Sequence, residues 1–323
     1  MRIINRIIDN KGNLVSFKSF GDEYLNYHKA GWTNYFDKAK NNLENLAEEK
    51  NGNQHDFIID LIDDLNDIIK ATPDQIPEHI IKFTTGQYLT TLNDEVFKNE
   101  IEEAFGYSAF RKSAKASWFA ERFGISACLY CNAQFTLAIG KDGTKKKLLF
   151  QLDHFYNKSK FPFLSLTLGN LIPSCSTCNI SKSSKSFTLI THIHPYHGDA
   201  NIMFDFYIDE NNALEYLIGN RNYKLLTPKV NVVDPRFDDH KTTFGIEAIY
   251  EKHADVVEEL LLKSLYYNKS KREELEMEFA DLNLSGSVID RFVLGNYSLD
   301  SEINKRPLSK LSKDIGKQLK IIK

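Results

Sequence analysis

At 323 residues the chain exceeds the roughly 250–300 at which a single core stops growing, so two or three structural units are expected. A hydrophobic fraction of 42%, an aromatic fraction of 12% and only eight prolines exclude a disordered or low-complexity protein. No uncharged apolar run reaches the ~18 residues of a membrane span, Asp9 and Lys11 stand where a signal peptide needs an apolar stretch, and the net charge of −3 excludes a uniformly basic surface; a cytoplasmic protein without a membrane partner is expected.

Residues Met1 to Phe17 alternate apolar and polar positions around an Asn10–Lys11–Gly12 turn signal, which predicts a short hairpin. From about Tyr27 to Ala104 the period is helical: Phe57, Ile58, Leu61, Ile62, Leu65, Ile68 and Ile69 recur at helical spacing, and Pro73 and Pro77 separate one helix from the next. Eight acids against the single Lys50 between Glu44 and Asp67 read as a solvated face. Trp118 to Phe123 predicts another short helix. Strands are expected at Phe135–Ile139 and Leu148–Leu152 around a Lys141–Asp142–Gly143–Thr144 turn. Ile202–Ile208 is strand-like, Val230–Pro235 is bounded by proline, and helices dominate from Ile246 onward. The last of these places Leu311, Ile315, Leu319 and Ile322 at near-helical spacing with Lys310, Lys313, Lys317 and Lys320 around the rest, the pattern of a packed helix with a wet basic face in preference to a DNA-reading helix. The division expected is a mainly helical region over 1–115, a module carrying the chemistry over 116–200, and a mixed, then helical, region over 201–323.

The four cysteines fall as two C-x-x-C pairs, Cys128/Cys131 and Cys175/Cys178, with none left over. In a reducing cytosol this spacing favours tetrahedral metal coordination over disulfides. Four thiolates close a zinc site and leave no position for substrate, so this zinc is structural, and worth on the order of 10 kcal/mol to a small module. Between the pairs lie Asp153 and His154. Phosphodiester hydrolysis needs a proton taken from water and a developing negative charge stabilised. Asp153 can offer a hard oxygen to Mg²⁺ or Mn²⁺ and the Asn179 amide oxygen a second; His154, neutral near pH 7, can take the proton. Neighbouring strand residues point to opposite faces, so convergence on one ion requires the pair to sit at a strand end.

The stretch Leu152-Asp153-His154-Phe155, then Asn170-Leu171-Ile172-Pro173, then Cys175-Ser176-Thr177-Cys178-Asn179 with Lys182 resembles the HNH endonuclease family. The resemblance implies an α+β chain in which a central zinc-stapled ββα-metal module is flanked by mainly helical regions, with Asp153, His154, Asn170 and Asn179 as the catalytic set. It also implies that Asn170 bonds backbone near His154 and fixes the loop between the strands. Leu152 to Pro162 running into Asn170–Pro173 is similar to the HNH subunit of Septu-type antiphage defence systems, which implies an ABC-type ATPase partner and an antiviral role.

Between Lys141 and Phe187 eight lysines face two aspartates, and from Lys305 to Lys323 seven basic residues face Asp314. Lys158, Lys160 and Lys182 are therefore candidates for phosphate contact, and Lys145, Lys146 and Lys147 for a basic patch, against the alternative of solvated lysines. His192, His194 and His197 form an imperfect metal tract for which a core role is the alternative. For function, an endonuclease acting on DNA in preference to RNA is the leading expectation. An RNase of the same fold, a non-catalytic zinc-ribbon nucleic-acid-binding protein and a redox role for the cysteine pairs are the alternatives.

Overall fold

Short antiparallel strand pairs set among many helices make up the computed structural model, which describes the chain except residues 1–3, 5, 28, 142–145, 199–203, 220, 280, 281, 283 and 323 and the side chain of residue 269. The expected 141–144 turn beyond Lys141, the patch lysine Lys145 and the start of the 202–208 strand fall outside the described residues. Eight strands are described: β1 (Arg6–Ile8), β2 (Leu14–Ser16), β3 (Ala138–Ile139), β4 (Lys147–Leu148), β5 (Gln151–His154), β6 (Leu171–Ser174), β7 (Phe204–Tyr207) and β8 (Lys229–Val232). Each pairs with its neighbour in sequence, β1 with β2 through to β7 with β8. The N-terminal hairpin follows the Asn10–Lys11–Gly12 turn, with Arg6 opposite Ser16. β3 and β4 form where strands were expected but are only two residues long.

The chain divides into two compact units, one of residues 3–124 with 137–199 and the other of residues 1–2, 125–136 and 200–323. In the first, helix Tyr35–Glu49 is capped by Asn34, whose side chain accepts from the Phe36 and Asp37 amides, and it buries Phe36, Ala39, Leu43 and Ala47. Helix Glu95–Phe105 is capped by Asp94 and ends on Gly106 at φ 62, a left-handed position that suits glycine. The apolar run from Phe57 to Ile69 forms two helices, Gly52–Asp63 and Leu65–Lys70, joined at Asp64. There Asp64 also receives the Lys82 ammonium at 2.8 Å. Phe57 packs edge-on against Phe83, Tyr88 and Phe97, each ring centroid 5.2–5.6 Å away, the usual geometry for buried aromatics. Of the acidic stretch, Asp56, Asp63 and Asp67 are exposed, as a solvated face requires.

In the second unit, β7 and β8 pair with Phe204 opposite Val232. Helix Ser309–Gln318 packs against β7 and against helix Ala254–Tyr266. The expected wet lysine face is corrected in part: residues 309 to 316 are all buried, Lys310 and Lys313 among them, while Lys317 and Lys320 are exposed. Lys310 reaches Asp314 at 2.6 Å and Asp205 at 3.2 Å, and Lys313 pairs with Asp300. Lysines are buried where carboxylates accompany them, and here one lies a helical turn away on the same helix. Asp314 also accepts the Phe206 amide at 3.0 Å, tying the helix to β7, while burial raises its carboxyl above the usual range against the pull of Lys310.

One close approach positions the site. Gly169 donates its amide to the Ala71 carbonyl at 3.0 Å, and a methyl group there would lie 2.7 Å from that oxygen and 2.8 Å from the Pro73 nitrogen. Gly169→Ala forces backbone apart, so the variant is expected to lose about 1–3 kcal/mol, read as a lower urea midpoint at unchanged slope. A variant as stable as the parent shows that the 71–73 segment yields freely.

Candidate functional site

The centre of the site is the β5–β6 ladder, in register with His154 opposite Leu171 and Asp153 opposite Ile172. His154 is the last residue of β5. The sixteen-residue excursion that follows returns to the sheet through Asn170, whose fully buried side chain spends its hydrogen-bonding capacity on backbone. Its Oδ1 accepts the Tyr156 amide at 2.7 Å, and its Nδ2 donates to the Tyr156 and Leu164 carbonyls, both at 3.1 Å. The Phe155 amide adds a bond to the Asn170 carbonyl at 2.9 Å. The asparagine is thus a clasp on the loop that begins one residue after His154.

His154 is 7% exposed, with its ring edge-on to Tyr107 at 4.4 Å between centroids. Its Nε2 lies 2.9 Å from the Ser165 carbonyl. A carbonyl only accepts, so Nε2 carries the proton and Nδ1 is left as the basic nitrogen. Burial drives the imidazole pKa down to about 3, with the Ser165 carbonyl opposing and Lys158 and Lys182 adding to the depression. The ring is therefore neutral at pH 7, and the burial that keeps it neutral also weakens Nδ1 as a base in this state.

Asp153, 6% exposed, engages another neighbour. Lys182, 1% exposed, sets its Nζ 3.4 Å from the Asp153 carboxylate and donates to the His154 carbonyl at 2.6 Å. Lys182 comes from helix Ser176–Lys182, which contacts β5. Asn179, half-buried, lies three residues earlier on the same helix and so on the same face. The order is strand, strand, helix, with the carboxylate turned toward the helix and the imidazole toward Tyr107 and the loop.

Tyr107 and Arg111 had no signal in the sequence. Their helix, Tyr107–Arg111, follows Gly106, and the Tyr107 hydroxyl donates to the Leu152 carbonyl at 2.6 Å while Arg111 donates to the Phe150 carbonyl. Burial holds the Tyr107 phenol well above its usual pKa, Arg111 lowering and Asp153 raising it, so both charges are felt at the ring. Such contacts join residues more than 35 positions apart, which no local pattern encodes.

Each cysteine pair has knuckle geometry. The Cys131 sulfur lies 3.4 Å from the Ala133 amide, and Asn132 between them is left-handed at φ 53. Its side chain is locked by the Ile303 carbonyl and the Lys310 amide, and its carbonyl by the Leu308 amide at 2.7 Å. His240 bonds the Tyr130 carbonyl and Tyr250 the Cys131 carbonyl, at 2.9 and 2.8 Å. In the second pair, Cys175 caps helix Ser176–Lys182 and its sulfur accepts from the Cys178 amide at 3.4 Å. The four Sγ atoms lie within 4.8 Å of one another and all four residues are buried, near the ~3.8 Å edge of a zinc–thiolate tetrahedron with 2.3 Å bonds. No disulfide joins them. Four buried sulfurs in this arrangement fit zinc, and they lack the exposure that a redox pair needs.

The remaining candidates are placed differently from one another. Lys182 is turned inward. Lys158 pairs with Glu102 and lies over the Tyr107 ring at 5.9 Å, and Lys160 is exposed beside Phe161. The histidine tract is structural: His194 is buried with Nε2 on the Gly169 carbonyl and Nδ1 accepting the Tyr196 amide, His192 stacks on Phe187 at 3.6 Å, and His197 meets Asp74 at 2.6 Å. Among the described residues the cysteines form the one group of three or more His, Cys, Asp or Glu able to hold a metal. Among the described residues no helix is long and apolar enough to cross a membrane.

The cysteine geometry predicts about one tightly held zinc per chain, and Cys175→Ser should lower both zinc content and folded yield. Elemental analysis of well-folded protein decides this, and a zinc-free folded chain overturns it. No family model, curated protein or solved structure matches the chain, so the reading of the site rests on its own residues.

Proposed function

We propose that the chain is an HNH-type endonuclease that hydrolyses nucleic-acid phosphodiester bonds with one divalent ion and His154 as general base. The observation that carries this reading is the juxtaposition at the end of β5: a neutral, tautomer-fixed imidazole beside a carboxylate that faces a zinc-knuckle helix bearing Asn179. Binding alone has no use for this combination, which sets the reading above a zinc-ribbon module.

The roles of Asp153 and Asn179 are carried over from the resemblance and from their places on β5 and on helix Ser176–Lys182. Asp153 and Asn179 would be the oxygen donors for Mg²⁺ or Mn²⁺, which when bound would supply positive charge beside the reacting phosphate. His154 takes the proton of the attacking water at Nδ1, and the Ser165 carbonyl, already accepting from Nε2–H, steadies the imidazolium that results. Tyr107 and Asn170 are positioning residues, the first packing the ring and the second holding the loop that carries Ser165. DNA is preferred to RNA as substrate on the resemblance alone; the active-site groups suit either. The same resemblance is the ground for proposing a role in antiphage defence beside an ABC-type ATPase, which co-purification with the tagged chain tests.

Incubation with plasmid, single-stranded DNA and RNA, each with Mg²⁺ or Mn²⁺, tests the activity and separates DNase from RNase. His154→Ala is expected to reduce cleavage by at least about 10²-fold with zinc content unchanged. Asp153→Ala and Asn179→Ala are expected to raise the divalent concentration needed for half-maximal rate. Undiminished cleavage by His154→Ala removes the histidine from the mechanism.

A further inference from the structure

Outside the β5–β6–helix constellation, one concavity gathers cations without acids. It measures about 390 Å³ and is lined by Arg111, Lys112, Ser113, Lys146, Lys147 and Leu148. Lys146 pairs with Glu121, but Arg111, Lys112 and Lys147 have no carboxylate partner among the described residues. Lys112 and Lys147 are exposed. Arg111 is half-buried, and its Nε is buried with no hydrogen-bond partner. Burial lowers the Arg111 pKa, as expected for a cation held without a counter-charge.

The lining residues belong to two segments that the fold brings together, the turn after helix Tyr107–Arg111 and strand β4. That helix runs beside β5: Tyr107 bonds Leu152 and packs on His154, while Arg111, one helical turn on, bonds Phe150. Phe150 precedes His154 by four residues, about 13 Å of extended strand. A nucleic-acid backbone carries one phosphate per ~3.4 Å of axis along each strand, so a phosphate held at Arg111 is a few nucleotides from one held at His154.

We infer that this concavity is a phosphodiester subsite, in which Arg111, Lys112, Lys147 and the Ser113 hydroxyl hold the backbone of a polynucleotide to one side of the bond being cut. The choice of a polynucleotide rests on the nuclease reading; the anion chemistry rests on the pocket. Arginine and lysine convergence with a hydroxyl, and no apolar floor beyond Leu148, suits a phosphate better than an aromatic or acyl group.

The test measures binding without cleavage, by fluorescence anisotropy of labelled DNA duplex and labelled RNA with no added divalent ion. Lys112→Gln/Lys147→Gln changes two exposed, unpaired side chains and should leave thermal stability and zinc content as in the parent. It is expected to weaken binding about tenfold at low salt and to flatten the slope of log affinity against log salt by ~1.8 for duplex DNA. Inorganic phosphate, as competitor, should displace polynucleotide only at far higher concentration if the pocket is one subsite of a longer track. Equal affinity and slope for variant and parent overturn the inference, and so does a parent chain that binds no polynucleotide. A parent that cleaves nothing while the variant still loses affinity overturns the nuclease reading and leaves the subsite standing.

Discussion

The site depends on a single buried amide. Asn170 faces a loop that leaves β5 immediately after His154 and must come back in register for Leu171 to pair with it. Three side-chain hydrogen bonds, to the two backbone groups of Tyr156 and to the Leu164 carbonyl, close that loop from within. A buried amide with all its partners is worth far more than its net bond energies, because each bond lost leaves a dry polar group behind. The same loop carries the Ser165 carbonyl to 2.9 Å from the imidazole Nε2, the contact that fixes the histidine's tautomer. Gly169, pressed on the Ala71–Pro73 backbone, fixes the other side of the same turn.

What the sequence made legible was whatever is written at short range. The C-x-x-C spacing, the Asp153-His154 pair at a strand end and the alternating N-terminal hairpin are local patterns, and each has its counterpart in the described residues. Phe57 to Ile69 was legible as helical but not as two helices, because the apolar spacing runs unbroken through Asp64, where the two helices join. Tyr107, Arg111 and Asn132 could not be read at all. Their roles come from the Phe150 and Leu152 carbonyls and from backbone groups of the 303–310 segment, and a tyrosine or an asparagine carries no mark of such a partner.

Charge was the poorest guide. Lysine runs in the sequence read as basic surface, yet Lys182, Lys310 and Lys313 are buried against Asp153, Asp314 and Asp300. The difference is that a lysine's stem is apolar and its head needs only one well-placed carboxylate or carbonyl to be taken inside. Conversely, the cations that gather without acids, Arg111, Lys112 and Lys147, come from separate segments, so a linear charge count dilutes them. Net charge bounds the whole molecule; only the fold says where an unbalanced cation is left.

These observations also bear on why so short a motif sits in so long a chain. Two four-residue strands and a seven-residue helix bury too little apolar surface to hold a catalytic geometry against thermal motion. In the unit that contains them, the N-terminal helices supply the missing walls: Tyr107 against the imidazole, Arg111 on the strand backbone, Ala71 against Gly169, and the Tyr24 hydroxyl on the Leu166 carbonyl at 3.0 Å. In the other unit, the C-terminal helices do the same for the Cys128/Cys131 knuckle, through His240, Tyr250 and the backbone of residues 303–310. The flanks are thus parts of the structural shell of the candidate centres, and a change far from Asp153 and His154 in sequence can move the groups that hold them. Tyr107 packs the His154 ring and the 303–310 segment holds Asn132 of the knuckle, so a displacement of either acts on the candidate centres without any new contact at them.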